Sequence, residues 1–509
     1  MPSGGSRRCW SSRSLLLLGA CAALPTGCGA VRARGEPRLR GRKLVDGTFA
    51  LQAAQRGGER GEVPPTVRAA HRGPVDGATA VRGRAPAAAD ERKTWALVLE
   101  RNATEEEVQN LSTEFHNGKH SHPSKGELPF VEGALTIDEL ERVLDKYPEL
   151  VQYVEEDRYE KKIWDPIVSA DSPSQPQTGY PWGIQDLNAD VIRGRGVGVN
   201  VYVLDTGIRT THNLFSGRAF AGVDVAGTGD LVVCAPSSTT CAADGHGHGT
   251  HCAGTVGAST YGVADGATIW AMKVLDDTGA GFSSWSVLAE QWILSSGARP
   301  AVVSMSLGAH GSFEPEEESI NALVDDGVTV VVAAGNQNAD ACNYNPARIA
   351  SAITVASYTE AVAKSFFSNY GSCVDVWAPG SYIWSTDHSS DSQTSVKYGT
   401  SMACPHVAGL AAIMYEAHPS AGSMTAAQRW DLLTASQRTG SVTGIPTTPA
   451  TVNLVALAPT STPTPAPSPL PTALPTPLPT PLPTPSPTPT PTPETYVSKL
   501  SFVMAGLDY

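Results

Sequence analysis

The chain has 509 residues, 41% of them hydrophobic, with a formal net charge of −13. That length excludes a single small module and allows a large core with appendages. The acidic balance speaks against a nucleic-acid partner, and no apolar run approaches the ~18 residues that a membrane-spanning helix requires.

Arg7, Arg8 and Arg13 precede Leu15–Leu18 and the small-residue run Gly19–Ala23, with Cys28-Gly29-Ala30 as a cleavage end. This layout predicts a secretory signal over residues 1–30. Residues 31–93 carry 14 Lys/Arg against 7 Asp/Glu, are rich in Gly, Ala and Pro, and show no periodicity; they read as a disordered basic spacer. Residues 94–163 predict a small α+β unit. Its strands are Thr94–Glu100, Phe130–Leu135 and Val151–Glu155, with a helix capped by Thr104 and another over Asp138–Asp145. Asn102-Ala-Thr104 and Asn110-Leu-Ser112 are glycosylation acceptors if the chain is secreted.

From Pro181 to about Leu457 buried strands alternate with helices. The strands are Val197–Leu204, Ala267–Leu275, Ala301–Leu307, Val328–Ala334 and Ala352–Ser357; the helices are Ser283–Ser296 and Pro315–Asp326. Near-continuous apolar strands imply a sheet covered on both faces, so the fold class is α/β with a doubly wound, mainly parallel sheet. Ligands of such sheets bind beyond the carboxyl ends of the strands, where Asp205 and Asn336 fall. Pro459–Pro493 is a Pro/Thr repeat, read as an extended linker, and residues 494–509 form a short tail.

Three segments carry the parts of a nucleophilic site. Val199–Gly207 delivers Asp205 at the end of a strand. Asp244-Gly-His-Gly-His248-Gly-Thr-His251 places His248 where a helix opens. Gly399-Thr-Ser401-Met-Ala-Cys-Pro-His puts Ser401 on the first turn of another helix. Attack on an amide needs a serine deprotonated by an imidazole, itself held in one tautomer by a buried carboxylate. His248 lies 43 residues after Asp205, and Ser401 lies 153 after His248. A fourth segment, Val332-Ala-Ala-Gly335-Asn336, ends a strand in a side-chain amide suited to donate to an oxyanion. The nearby His246, His248 and His251 lack the paired-histidine-with-glutamate pattern of a metal motif.

These four segments, in this order and spacing, resemble the subtilase (subtilisin-like) serine peptidases, most closely the proteinase K branch, over roughly Pro181 to Leu457. The resemblance implies a subtilisin-like sheet at 176–458, preceded by a small ferredoxin-like inhibitory propeptide domain at 94–163. It implies a secreted or secretory-pathway serine endopeptidase, made as an autoprocessed zymogen, cutting itself between Asp157 and Tyr180. The chain would work as a monomer on polypeptide substrates, with its own propeptide as inhibitor. Asp205, His248 and Ser401 match the triad and Asn336 the oxyanion donor. Gly279, Ala280 and Gly281 match one substrate-pairing edge, and Ser306, Leu307 and Gly308 the other. Ala333, Ala334 and Gly335 would wall the pocket for the residue before the scissile bond, and Tyr344 would close it. That lining is small and apolar with no acid, which favours apolar or aromatic residues there. Asp375 matches a calcium ligand, with the backbone carbonyls of Ala350 and Ala352 as partners. A self-processing binding protein and a peptide ligase on the same scaffold are the alternative functions.

Of nine cysteines, three fall in the leader. The rest contain no Cys-x-x-Cys pair, which speaks against a cysteine zinc site, and their number suits an oxidising compartment. Cys342 and Cys373 match a disulfide of proteinase K relatives. Cys234 and Cys241 flank a short polar loop and are expected to pin it, a pair the family pattern does not supply. Cys252 matches a free thiol of the family and Cys404 stands where threonine is usual. They are read as two buried thiols, with a mutual disulfide as the alternative.

Overall fold

The computed structural model describes residues 43–45, 92–157, 159–162, 180–191, 195–226 and 231–458. The expected leader, Pro/Thr linker and tail, and nearly all of the spacer, lie outside the described residues.

The amino-terminal unit runs β1 (Lys93–Leu99), α1 (Glu105–Ser112), β2 (His116–His120), β3 (Phe130–Leu135), α2 (Ile137–Lys146) and β4 (Val151–Glu156). Its sheet has the order β4-β1-β3-β2, with Lys43–Val45 added beside β4. This order is that of a ferredoxin-like fold. Both helices open on capping boxes, Thr104 with Glu107 and Thr136 with Glu139. The short polar β2 has no alternating pattern and was not legible as a strand.

The body contains an eight-stranded sheet. Its members in chain order are β6 (Asn200–Asp205), β7 (Ala219–Asp224), β8 (Thr268–Lys273), β10 (Ala301–Met305), β12 (Thr329–Ala333), β14 (Ile353–Tyr358) and β15 (Val376–Pro379), with Val232–Val233 at one edge. Interleaved with them are α3 (His248–Gly257), β9 (Ala280–Phe282), α4 (Ser283–Ser296), β11 (Leu307–His310), α5 (Glu314–Asp325), β13 (Tyr344–Asn345) and α6 (Thr400–Ala417). The spatial order is β15-β14-β12-β10-β6-β8-β7, and every pairing along it is parallel. The expected strand Ala301–Leu307 is in fact two, β10 and β11, broken at Ser306; the chain leaves the central sheet there to form a separate edge.

Side chains alternate along β6. Val201 and Val203 join the core under α3 and α6, while Tyr202 and Leu204 join the core under α4 and α5. Both faces are buried, which is why the strand reads as an uninterrupted apolar run. The same two-faced logic binds the amino-terminal unit to the body. Trp95, Leu97 and Leu99 of β1 face that unit's own helices, whereas Ala96 and Val98 join the body's α4–α5 core. Neither α4 nor α5 has a side-chain cap from its own preceding residue. The amino-terminal unit supplies both: Asp157 accepts from Ser284 N at 3.1 Å and Glu155 from Glu314 N at 2.9 Å. A carboxylate at a helix amino terminus satisfies an orphan donor and the helix dipole together.

Candidate active site

The site lies beyond the carboxyl ends of β6, β10 and β12. Asp205 is the last residue of β6 and His248 the first of α3, and both are fully buried. His248 Nδ1 donates to Asp205 Oδ1 and Oδ2, at 2.8 and 2.9 Å. Thr206 N also donates to Oδ1 at 2.7 Å, so the carboxylate is anchored from both sides. The two elements come this close because Gly249 carries no side chain; a Cβ there would sit 2.2 Å from Gly207 O.

Asp244 shapes the turn before His248, a role sequence reasoning did not assign. Its carboxylate accepts from His246 N, Gly247 N, Thr250 N, Thr250 Oγ1 and Thr206 Oγ1. An aspartate followed by alternating glycines, four residues before His248, was the available signal. Gly247 itself has φ +95°.

Ser401 is fully buried on the first turn of α6. Its Oγ donates to Ser306 O at 3.4 Å, and the buried His248 Nε2 has no hydrogen-bond partner among the described residues. Pro405 sits inside α6 and removes the N–H that would bond Ser401 O. That carbonyl is taken instead by Ser306 Oγ at 2.9 Å and by the Cys252 thiol at 3.4 Å. Cys252 therefore ties α3 to the turn carrying Ser401. Cys404 points elsewhere, its thiol against Val331 O at 3.3 Å. Both cysteines are free and buried, so the alternative of a bond between them is not what the structure holds. Burial pushes the Cys404 thiol up to about 12 and raises Cys252 strongly. The pairs Cys234–Cys241 and Cys342–Cys373 are disulfides.

Asn336 is oriented by Thr400, whose N and Oγ1 both donate to its Oδ1 at 2.9 and 3.0 Å. The amide NH2 is thereby turned toward Gly399. The position a Cβ would take on Gly399 lies 3.0 Å from Asn336 Nδ2 and 3.5 Å from Ser401 N. Asn336 Nδ2 and Ser401 N thus both border one small space beside Gly399, next to the serine.

Two backbone edges flank the site. β9 carries Ala280 and Gly281, with Gly279 just before it; β11 carries Leu307 and Gly308, with Ser306 just before it. Between them lies β5 (Tyr159–Lys162), antiparallel to both. The register pairs Gly281 with Glu160 and Ala280 with Lys161 on one side, and Gly308 with Lys161 and Leu307 with Lys162 on the other. Ala333 and Ala334 are buried at the end of β12, and Gly335 has φ +102°. Tyr344, half-buried, pairs with His310 across β11 and β13, its ring 5.3 Å from the imidazole. His251 and His406 are held by backbone carbonyls, bonding Ile383 O and Met402 O, and burial lowers His406 to about 4. His212 likewise bonds Gln393 O.

Residues 196–451 match the model of the subtilase peptidase family. The chain belongs to the subtilase family. It is 40% identical over 301 residues to an alkaline serine exoprotease A of Vibrio alginolyticus, covering 58% of this chain and 52% of that one. It is 42% identical over 253 residues to an extracellular serine proteinase of a Thermus strain, covering 48% and 59%. A subtilisin-like serine protease of Penicillium citrinum, Pen c 2, is 37% identical over 337 residues, covering 61% and 69%. The chain thus spans only 52% and 59% of the length of the Vibrio and Thermus relatives.

Ala350, Ala352 and Asp375 line one cavity of about 320 Å³. Asp375 Oδ2 accepts from Thr354 N at 2.8 Å, and burial pushes its carboxyl up to about 6. A half-buried carboxyl and main-chain carbonyls at such a cavity would form an oxygen-only donor set, the kind calcium takes.

Proposed function

We propose that this subtilase is a secreted serine endopeptidase made as a self-processing zymogen. The observation that carries the reading is the convergence of Asn336 Nδ2 and Ser401 N beside a serine whose neighbouring imidazole is held by Asp205. Ser401 Oγ swings from Ser306 O to His248 Nε2, gives up its proton and attacks the substrate carbonyl. The oxyanion is held by Ser401 N–H and Asn336 Nδ2. His248 passes the proton to the leaving amine, and water then hydrolyses the acyl-enzyme by the reverse route. Asp205 keeps His248 in the tautomer with Nε2 open. The two edges flanking Ser401 hold the substrate as an added strand through backbone bonds.

Residues 94–163 act as the inhibitory propeptide. The support is β5, which occupies both edges, and the caps that Glu155 and Asp157 place on α4 and α5. Asp375 with the carbonyls of Ala350 and Ala352 would hold calcium, which stabilises the fold without entering the chemistry. The name of the Thermus relative, an extracellular serine proteinase, supports export. The reading is tested by comparing the full chain with its Ser401→Ala form. The parent matures and digests unfolded protein; the variant stays intact and inactive. Maturation and digestion by Ser401→Ala at the parental rate would refute it.

A further inference from the structure

The amino-terminal unit holds a group of side chains that the peptidase chemistry leaves unused. Glu105, on the first turn of α1, and His120 and His122, at the end of β2 and just beyond it, place one ligand atom each within 4.8 Å of one another. The two imidazole rings lie together, their centroids 5.3 Å apart. All three side chains are half-buried, and the Glu105 and His122 side chains are each 34% exposed. We propose that Glu105, His120 and His122 bind one divalent transition-metal ion, zinc foremost, and that the bound ion strengthens the docking of this unit on the body.

The groups behind the ligands are those a metal site needs. His120 Nδ1 lies 2.9 Å from Ser121 O; donating there fixes the tautomer and leaves Nε2 as the free ligand. Glu105 Oε2 is held by Ser124 N at 3.3 Å and Ser124 Oγ at 2.9 Å, which leaves Oε1 facing His122 Nδ1 at 2.5 Å. Two imidazoles and a carboxylate, with an open side toward solvent, match the three-ligand-plus-water pattern of zinc. Tetrahedral ligation would bring the donor atoms to roughly 3.4 Å apart, within reach of side-chain rotation alone at this exposure.

The ligands connect directly to the docking surface. His122 N donates to Glu127 Oε2 at 2.5 Å, Glu127 Oε1 accepts from Ser295 Oγ at 3.0 Å, and Leu128 N donates to Gln291 Oε1 at 2.7 Å. Ser295 and Gln291 belong to α4. Fixing His122 to Glu105 therefore stiffens the loop that grips the body. The metal binding and the docking stand independently of the peptidase reading; only the unit's role as an inhibitor rests on that reading.

The test uses the full chain carrying Ser401→Ala, stripped of metal and titrated with cobalt and then zinc. One equivalent is expected, with the visible absorption of tetrahedral cobalt, and zinc should raise the melting temperature. His120→Gln with His122→Gln abolishes that equivalent, and Ser124→Ala, which touches only the Glu105 carboxylate, weakens it roughly tenfold. His248→Gln, which disturbs the buried Asp205–His248–Cys252 group, leaves it intact. If the double variant does not fold, Ser124→Ala and Glu105→Gln decide. Absence of zinc binding in the parent, or undiminished binding in these variants, overturns the proposal.

Discussion

A methyl group added at Gly399 tests the oxyanion geometry with the least chemical change. Gly399 has φ +143° and ψ 160°, a region that is essentially reserved for glycine. A Cβ there would lie 3.0 Å from Asn336 Nδ2 and 3.5 Å from Ser401 N. An oxyanion must sit about 2.7–3.1 Å from both donors, so the methyl group and the oxygen compete for one space. Loss of one donor corresponds to about 10²–10³ in kcat, or ~3–4 kcal/mol, a magnitude known from subtilisin rather than worked from this structure. The backbone strain adds ~1–3 kcal/mol against folding. Gly399→Ala should therefore lower the melting temperature modestly and slow self-cleavage of the full chain by at least about a hundredfold. Self-cleavage is followed as a single turnover by intact mass, and kcat and KM are measured on a peptide. KM should move little, since the edges β9 and β11 are untouched. A natively folded Gly399→Ala that cuts itself within about threefold of the parent, a difference below 1 kcal/mol, would refute the assignment of this space.

Three further outcomes follow from the geometry. Asp375 has its carboxyl raised from 3.8 to about 6 by burial, so without a cation its ionisation costs stability. The cost is absent below about pH 4, grows through pH 4–6 and is complete above, reaching about 2–3 kcal/mol. Calcium should therefore raise the melting temperature above pH 6 and lose its effect below, while Asp375→Asn stabilises the calcium-free protein at pH 8 and removes its calcium response in calorimetry. Lys162, opposite Leu307, ends β5 one residue short of Ser306, and Ile163 follows it in sequence. The first cut should then follow Ile163, giving a product that begins at Trp164 by mass spectrometry; a first cut elsewhere contradicts the register. Replacing Glu155 and Asp157 by Gln and Asn removes the charge from both borrowed helix caps and should cost about 1 kcal/mol each, read as faster escape from inhibition in the progress curve of activation.

Much of this site could be read from the sequence because its parts are local. Asp205, His248, Asn336 and Ser401 each sit at the junction of a strand or turn with an adjoining element, and glycine patterns mark those junctions. The alternation of Tyr202 and Leu204 with Val201 and Val203 was hidden, since both faces of β6 are apolar and no period distinguishes them. The break at Ser306 was also hidden: Met305 and Leu307 are equally buried, and only pairing with β5 and β13 shows that β11 leaves the central sheet. Asp244 was missed because its five bonds go to backbone and hydroxyl groups that mark no motif. The role of Cys252 emerges only with Pro405, whose missing N–H frees the carbonyl that the thiol meets. Lys119 of β2 bonds Glu132 across the sheet, a contact between polar residues that gives no strand signal in sequence.

The central claim is that Ser401 is a nucleophile activated by His248. A serine-directed fluorophosphonate measures this directly. The matured parent should gain one phosphonyl adduct, located by peptide mapping on Ser401, and the adduct should vanish in His248→Ala. An adduct on another residue, or equal labelling of Ser401 without His248, would contradict the account.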